Sequence, residues 1–481
     1  MSATTAATVE RLSTRELDRK AASSLAWQIG KVAVQLVQYV LLARLVSPAE
    51  FGIFLLAIPL YTVLAAINDG GLSTASVTGT HYDSQLASTL WWTQVGLGFT
   101  AALVMAASSP LLAALFDTPQ LLSVSLWLSC ALLIRSFGLQ SRARLRRDMR
   151  VARIALVDIG GMVAGLAGAA IATQWLGGVE VLVLAQILSA LAANAIACAS
   201  APTAVERPRF TREYLGSLRV GWHVVGSDLL SIVRAQAPTL IIGSFLSVSA
   251  LGLFNRAYQL LTVPTQALSP AMGNFLLPLL SRTRDRPDEF RSHLRRGQRL
   301  FLCAAIPLSV WIAAGPRDLI IAALGPVWAG TVPILQCLTP LFVSQVMASV
   351  ARNALLAADH AATERTFSFW NLVLTIAATL AAAPFGVIAF SLALSLSGLL
   401  LRAPLLAVLA VRKGALHADD LIDGVRVMLL LAAIGGTLLW VLEYVPMHAV
   451  VRDLVGLVCV LLVSLQALRI VRRRADARPA A

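Results

Sequence analysis

Charged side chains are scarce in this sequence. Asp, Glu, Lys and Arg make up only 13% of its 481 residues, hydrophobic residues make up 58%, and the mean hydropathy is +0.76. A soluble domain of this length needs far more charge on its surface. Because apolar stretches recur from about residue 21 to about residue 471, the sequence predicts an integral membrane protein.

Clustered cysteines and metal-ligand spacings are also missing. Each of the five cysteines sits alone inside an apolar run, which argues against a disulfide framework and against a structural metal site. We therefore expect no metal and no cofactor. The cysteines are Cys130, Cys198, Cys303, Cys337 and Cys459.

The first twenty residues lack an apolar core, so residues 1–20 are predicted to be a cytoplasmic tail and not a cleavable signal peptide. The formal net charge of +14 would suggest nucleic acid as the partner of a soluble protein. Here the arginines fall in short loops between apolar runs, as the positive-inside rule requires, and no nucleic-acid partner is expected.

The pattern of apolar runs predicts an all-α membrane protein with fourteen spanning helices, each near the ~20 residues that a bilayer requires. The predicted helices cover residues 21–43, 51–68, 86–109, 120–137, 154–174, 179–200, 220–245, 253–279, 299–315, 331–351, 366–384, 386–411, 427–445 and 449–471.

The positions of Lys and Arg orient these helices. Of the 39 such residues, thirty-one fall in segments predicted to lie inside or, for Arg299 and Arg469, at the inner ends of helices; five lie deeper within helices, and only Arg44, Arg317 and Arg452 lie in outer loops. This asymmetry predicts that both termini are cytoplasmic. Every outer loop is short, which rules out most enzymes that work at the outer membrane face. We therefore predict a transporter and not an enzyme.

An internal repeat predicts the lobes. Residues 47–63 align with residues 247–263 without a gap and share seven identities, which are the pairs 47/247, 52/252, 54/254, 57/257, 60/260, 62/262 and 63/263. Six predicted helices separate the two copies, so both copies run in the same direction. The repeat predicts two parallel six-helix lobes around a central cavity, a transporter signature. The predicted segments are an N-lobe at 21–200, a C-lobe at 201–411, and helices 13–14 with a basic tail at 412–481.

Polar side chains form stripes on three of the predicted helices. Three intramembrane cations, Lys31, Arg234 and Arg256, must each face water or a partner, and we interpret them as the wall of a hydrated cavity. The alternative is that the stripes are interhelical hydrogen-bonding surfaces. Arg135 and Arg402 lie nearer the inner ends of their helices, where snorkelling is expected. The other predicted lining residues are Gln28, Gln35, Gln38, Asp228, Asn255, Gln259, Thr262 and Gln266.

Two segments resemble a known family, the Wzx-type polysaccharide flippases, which are related to lipid II flippases and MATE multidrug exporters. The first is "LLARLVSPAEFGIFLLAIPLYTVLAAINDGGLSTA", and the second is "LGLFNRAYQLLTVPTQALSPAMGNFLLPLLSR". The resemblance is sharpest at residues 43–72 and 252–282. The matching elements are Ala43-Arg44-Leu45, Ser47-Pro48, Glu50, Phe51-Gly52, Asp69-Gly70-Gly71-Leu72, Gly252, Phe254, Arg256-Ala257, Pro278 and Leu280-Ser281-Arg282.

The resemblance implies a flippase that moves an undecaprenyl-pyrophosphate-linked oligosaccharide from the cytoplasmic to the periplasmic leaflet, by alternating access, for exopolysaccharide, capsule or O-antigen synthesis. Lys31, Arg234 and Arg256 match the family's cavity cations, which would hold the pyrophosphate. The location implied is the cell inner membrane, and the expected state is a monomer. Candidate partners are a polysaccharide polymerase and a chain-length regulator, besides membrane lipids.

Two alternatives within the same superfamily stay open at this point. A lipid II flippase would differ only in its substrate, and a cation-coupled multidrug exporter would have a more hydrophobic and acidic cavity. Asp69 and Asp228 are the candidates for coupling transport to an ion. The identity of the glycan does not follow from the sequence.

Overall fold

The computed structural model of the chain describes residues 14–79, 82–203, 205–209, 211–271, 276–284, 286–414 and 416–476. Every regular element in these ranges is helical, which agrees with the predicted fold class. The helices form two compact units, one ending at Ser244 and the other beginning at Phe245.

The first unit contains nine helices in the described residues, and the first of them starts inside the predicted tail. They are α1 (Thr14–Leu45), α2 (Pro48–Asp69), α3 (Leu72–Thr78), α4 (Ser84–Ala107), α5 (Ser109–Leu115), α6 (Gln120–Arg147), α7 (Val151–Ala172), α8 (Glu180–Ser200) and α9 (Arg212–Phe245), whose last residue opens the second unit.

The second unit contains ten α-helices in the described residues. They are α10 (Val248–Ala271), α11 (Leu277–Arg282), α12 (Pro287–Ala314), α13 (Arg317–Leu324), α14 (Thr331–Ala357), α15 (Ala361–Ala382), α16 (Val387–Leu396), α17 (Ala403–Arg412), α18 (Ala418–Glu443) and α19 (Ala449–Asp476). Short 3-10 turns lie at Pro326–Trp328 and Ala383–Phe385, and a π-helical turn at Ser397–Arg402 joins α16 to α17.

Eleven helical segments in the described residues are long and apolar enough to cross a bilayer. They correspond to eleven of the fourteen predicted spans. The other three, 21–43, 220–245 and 253–279, fall on α1, α9 and α10, the helices that carry the polar stripes, and the last also includes residues outside the described ranges. The chain is thus a multi-pass membrane protein, while fourteen spans and cytoplasmic termini stay predictions.

The two copies of the repeat fold alike at their start. The amide of Glu50 donates to the Ser47 hydroxyl at 3.3 Å, and the amide of Ala250 donates to the Ser247 hydroxyl at 3.2 Å. In each copy the serine thus caps the helix that follows it, as a Ser before an apolar run predicts. Ala57 and Ala257, each ten residues after its capping serine, are both fully buried.

Small residues bring α7 and α8 together in the first unit. A Cβ added at Gly165 would lie 2.7 Å from the carbonyl oxygen of Ala185, and one added at Gly161 would lie 3.0 Å from that of Ser189. The helix backbones therefore approach closely, as small residues permit in membranes. α7 also packs against α1.

The second unit is organised around α12, which packs against α14, α18 and α19. At one end of α12, Asp420 of α18 is 1% exposed and accepts hydrogen bonds from Arg291, at 3.2 Å, and from Arg295. One helical turn further along, Arg299 lies 2.7 Å from Asp423. This ladder of ion pairs attaches the predicted helix pair 13–14 to the second unit.

The compact units do not meet where the repeat predicts that the lobes meet, and the lobes themselves stay a prediction. The repeat predicts that the C-lobe begins at residue 201, whereas the first unit extends to Ser244 and so includes α9 almost completely. The reason is local packing, because the backbone of α9 touches the turn after α2, and Gly243 lies against Leu56 and Phe116.

Candidate functional site

Lys31 of α1 forms an ion pair inside the first unit. Its Nζ donates to Oδ2 of Asp158 on α7 at 2.8 Å, and a guanidinium nitrogen of Arg142 on α6 lies 3.7 Å from Oδ1 of the same carboxylate. The side chains of Lys31, Asp158 and Arg142 are 34%, 24% and 30% exposed. Two cations thus share one carboxylate, and this "basic cluster" keeps a formal charge of +1 and partial access from outside the fold.

The basic cluster lies away from the helix ends. Lys31 is 45 − 31 = 14 residues, or about 21 Å, from the end of α1 at Leu45. Asp158 is 158 − 151 = 7 residues, or about 10 Å, from the start of α7 at Val151. In the predicted orientation both positions lie in the cytoplasmic half of the membrane.

Sequence reasoning missed two members of this cluster. Asp158 is the only acidic residue in the predicted helix 154–174, and that signal could have identified it as the partner of an intramembrane cation. Arg142 was assigned to an inner loop at 138–153, but α6 continues to Arg147 and carries Arg142 on its last turns.

Asp69, a predicted coupling residue, closes α2 and is hydrogen-bonded. Its Oδ1 accepts from the hydroxyl of Ser73 and, at 3.3 Å, from Nε2 of Gln94, which is fully buried. The charges of Asp228 and Arg135 act on this carboxylate. The structure therefore brings Asp69 and Asp228, the two predicted coupling residues, within electrostatic range of each other in the first unit.

The backbone next to Asp69 touches α9. Gly70 and Gly71 have φ values of +57° and +64°, which side chains rarely adopt. A Cβ added at Gly71 would lie 2.7 Å from Cα of Gly221, and one added at Gly221 would overlap the carbonyl oxygen of Gly70. These three glycines form a contact that we call the "inner seam", because the predicted orientation places it at the cytoplasmic end.

Arg147 holds the short helix α3 beside this seam. Its guanidinium donates to the carbonyl oxygens of Ser76 at 2.7 Å and Gly79 at 2.9 Å, and it lies 4.9 Å from the centre of the Tyr82 ring. Burial raises the pKa of the Tyr82 hydroxyl, so Tyr82 stays neutral at physiological pH. The hydroxyl donates to Oε1 of Gln140 at 3.4 Å.

The other predicted site residues of the first unit differ in exposure and in hydrogen bonding. Arg234 and Asp228 are exposed on α9, and Arg234 makes no ion pair among the described residues. Gln35 donates to the hydroxyl of Tyr39 on its own helix, and Gln38 is half-buried. The side chain of Gln28 lies outside the described residues.

Arg256 is buried in the second unit. It is 1% exposed, and its guanidinium carbon lies 5.0 Å from the ring centre of Trp328, which is fully buried in the turn at Pro326–Trp328. Arg256 therefore does not border a hydrated space in this conformation, and its role as a cavity cation stays a prediction. An indole face can replace water around a guanidinium through cation–π attraction, which allows this burial.

Polar neighbours of Arg256 on α10 bond to one another. Arg256 donates to Oε1 of Gln259 at 3.1 Å, and Gln259 donates to Oδ1 of Asn255 at 2.8 Å. The hydroxyl of Thr262 donates to the carbonyl oxygen of Gln259. The side chain of Gln266 lies outside the described residues. Asn255, Arg256 and Gln259 thus form one network on α10, while their role as the lining of a cavity stays a prediction.

Contrary to the prediction, Arg402 does not snorkel to the inner end of its helix. Its guanidinium donates to the carbonyl oxygen of Leu394 at 2.6 Å and to the Thr375 hydroxyl at 2.9 Å. Leu394 precedes Arg402 by two turns, so the side chain points toward the start of α16. The π-helical turn at Ser397–Arg402 changes the backbone bonding here, a feature that sequence reasoning missed.

Comparisons with known proteins identify relatives in polysaccharide synthesis. Teichuronic acid biosynthesis protein TuaB of Bacillus subtilis is 22% identical over 335 residues, which is 68% of this chain and 68% of TuaB. Lipopolysaccharide biosynthesis protein WzxC of Escherichia coli is 20% identical over 310 residues, which is 64% of this chain and 63% of WzxC. The match to WzxC therefore spans less than two thirds of that relative.

The fold has a solved counterpart. The structure of the lipid II flippase MurJ in an inward closed conformation matches with a TM-score of 0.76, covering 95% of this chain and 100% of MurJ at 14% identity. At that identity the likeness concerns the fold alone. A family model described as "Polysaccharide biosynthesis protein" matches residues 41–333, which is more than half of the chain. The protein therefore belongs to this polysaccharide biosynthesis family, among the Wzx-type flippases.

Proposed function

We propose that the chain translocates an undecaprenyl-pyrophosphate-linked oligosaccharide repeat unit from the cytoplasmic to the periplasmic leaflet of the inner membrane. The names of TuaB and WzxC support a role in building a cell-surface polysaccharide. The observation that carries the proposal is the basic cluster, in which Lys31 and Arg142 share the single carboxylate of Asp158.

The basic cluster suits an anionic headgroup because its charge is not balanced. A pyrophosphate and its sugars cannot cross hydrocarbon unaided, and an intramembrane polar site must shelter them. Asp158 keeps Lys31 hydrogen-bonded while no substrate is present. A pyrophosphate that approaches the cluster offers more charge and more acceptor oxygens than one carboxylate, and Lys31 transfers its hydrogen bonds to it.

The buried Arg256 receives the second role in this proposal. It is covered by Trp328 in the present conformation, and alternating access requires that a site be covered in one state and open in another. We assign Arg256 to the later part of the passage, when the Trp328 turn moves away and the guanidinium meets the pyrophosphate. Arg234, exposed on α9, completes the set of proposed substrate-binding cations.

Energy coupling is assigned to the Asp69 region in the same proposal. Asp69 and Asp228 lie within electrostatic range, and the inner seam lies directly beside Asp69. Binding of a proton or cation by either carboxylate changes the charge next to this backbone contact. In this proposal the chain works as a monomer with fourteen spans and both termini in the cytoplasm. It delivers its product to a polymerase and a chain-length regulator.

The proposal is tested by supplying the chain to a flippase-null strain that retains its other polysaccharide genes and measuring export of the surface polysaccharide. The intact chain should restore the surface polysaccharide, and Lys31→Ala should abolish export while the protein still reaches the membrane. Lys413→Ala is the matched control, because Lys413 is exposed and lies outside the predicted site. Equal export by the Lys31→Ala chain and the intact chain would reject the assignment of the site.

A lipid II flippase is the second candidate, because the fold match to MurJ covers 95% of the chain. Growth of a strain depleted of its own lipid II flippase separates the two candidates. Rescue of growth by the chain would favour lipid II as the substrate. Rescue of surface polysaccharide without rescue of growth would favour the proposed oligosaccharide.

A further inference from the structure

A cavity of about 530 Å³ lies at the end of the second unit opposite the Arg291–Asp420 ladder. It is lined by the end of α12, the start of α13, the end of α18 and the start of α19. Its volume is within the range of small-ligand sites in proteins. The predicted orientation places it at the outer face of the membrane.

One wall of this "outer cavity" is a fixed aromatic ring. Nε1 of Trp311 donates to the carbonyl oxygen of Asp453 at 3.0 Å, and Oδ2 of Asp453 accepts from the amide of Leu319 at 3.1 Å. These two bonds tie α12, α13 and α19 together and hold the indole in place. Trp440 of α18 lines the same cavity and stacks edge-on against Tyr444, with 5.0 Å between the ring centres.

The cavity also contains charged groups of both signs that are not used to bind one another. Arg317, Asp318, Glu443 and Arg452 line it, and none of these four forms an ion pair in the described ranges of the chain. With Asp453 included, three carboxylates face two guanidinium groups. The excess of negative charge disfavours a phosphate-containing headgroup as the occupant.

From this chemistry we infer that the outer cavity binds an uncharged sugar unit of the exported oligosaccharide. Sugar hydroxyls donate to carboxylates and accept from guanidinium groups, while the apolar C–H face of a pyranose ring covers an indole. This inference rests on the proposed function. On this inference, α18 and α19 hold the glycan at the outer face after the headgroup has crossed.

Direct binding tests the inference. The probe is the repeat-unit oligosaccharide released from the lipid carrier of the host strain, titrated against the full chain in nanodiscs and followed by tryptophan fluorescence. Glu443→Gln and Asp318→Asn each remove a charge while keeping the shape of the side chain. Each should weaken binding about tenfold, the loss of roughly one charge-assisted hydrogen bond. Asp419→Asn, on an exposed residue at the opposite end of α18, should change nothing.

Each other outcome has a defined meaning. Unchanged binding in both variants would place the sugar elsewhere and overturn the inference. No binding by a chain that still restores export would overturn the inference and leave the proposed function intact, whereas failure of the intact chain to export would reject the function itself. If short-chain phosphatidylglycerol changes the tryptophan fluorescence and the oligosaccharide does not, the cavity would be assigned to lipid. That outcome would also overturn the inference.

Discussion

Lys31 and Asp158 are joined by a 2.8 Å ion pair between α1 and α7, although 127 residues separate them in sequence. Asp158 lies on α7, a helix long and apolar enough to cross a bilayer, and both side chains keep partial exposure. A partly exposed pair is worth less than about 1 kcal/mol of stability. We therefore expect the pair to contribute little to holding the fold together.

Removal of the carboxylate should affect export more than folding. In Asp158→Asn, Lys31 and Arg142 lose their shared counter-ion, and the cluster becomes more positive. We expect unfolding in detergent to change by no more than about 1 kcal/mol, with tighter retention of the pyrophosphate and slower export. The double exchange Lys31→Asp with Asp158→Lys is the control, since it keeps an ion pair but reverses its direction. Normal export by the exchanged chain would show that only the pair matters and would contradict a role for the Lys31 cation.

The inner seam should not tolerate a side chain. Gly221→Ala places a methyl group on the carbonyl oxygen of Gly70, so that the turn and α9 must separate. We expect greater labelling of a cysteine placed near the seam by a membrane-impermeant maleimide applied from the cytoplasmic side. Gly226→Ala is the matched control, because nothing lies within 4 Å of a Cβ at that position of α9. Equal labelling of both variants would mean that the seam does not limit access.

Asp420 should be a strong determinant of stability. Its carboxylate is 1% exposed and accepts from Arg291 and Arg295, so Asp420→Ala leaves two guanidinium groups without their buried partner. Loss of this shared acceptor from a buried position should lower the melting temperature clearly. Asp419→Ala removes a neighbouring carboxylate that is 80% exposed and should cost less than about 1 kcal/mol. Thermal unfolding of the purified variants measures the difference, and equal melting temperatures would contradict the role of the ladder.

Trp328 should control access to Arg256. Trp328→Ala removes the ring that covers the guanidinium, and we expect faster modification of Arg256 by phenylglyoxal, detected by mass spectrometry of the peptide. Trp127→Ala, at an exposed position of α6, serves as the control for loss of a tryptophan. If Arg256 in the intact chain reacts as fast as it does in Trp328→Ala, then the indole does not cover it.

The sequence was sufficient to predict the helical membrane fold and the repeat, because both depend on short-range patterns. Ser47 and Ser247 cap their helices through the same kind of bond. A serine directly before an apolar run predicts such a cap from the local sequence alone. The positions of Lys31 and Arg256 on polar stripes followed from helical periodicity. Such patterns state which face a residue occupies but not what lies opposite to it.

Helical periodicity does not show which partners these residues meet, since the partners come from distant segments. Asp158 meets Lys31 only after α1 and α7 have packed. Trp328 meets Arg256 from a turn that lies 328 − 256 = 72 residues later in the sequence. Arg402 was misjudged for another reason. Its depth was read from its distance to the helix end, whereas the π-helical turn directs the side chain back toward Leu394.

The central claim is tested most directly by translocation in proteoliposomes. The purified chain would be reconstituted with the lipid-linked oligosaccharide of its host, and the fraction of substrate in the outer leaflet would be measured with a membrane-impermeant oxidant. We predict that the intact chain and Lys413→Ala equilibrate the substrate between leaflets, while Lys31→Ala does so no faster than empty liposomes. Translocation by Lys31→Ala at the rate of the intact chain would contradict the claim that the Lys31 cluster receives the pyrophosphate.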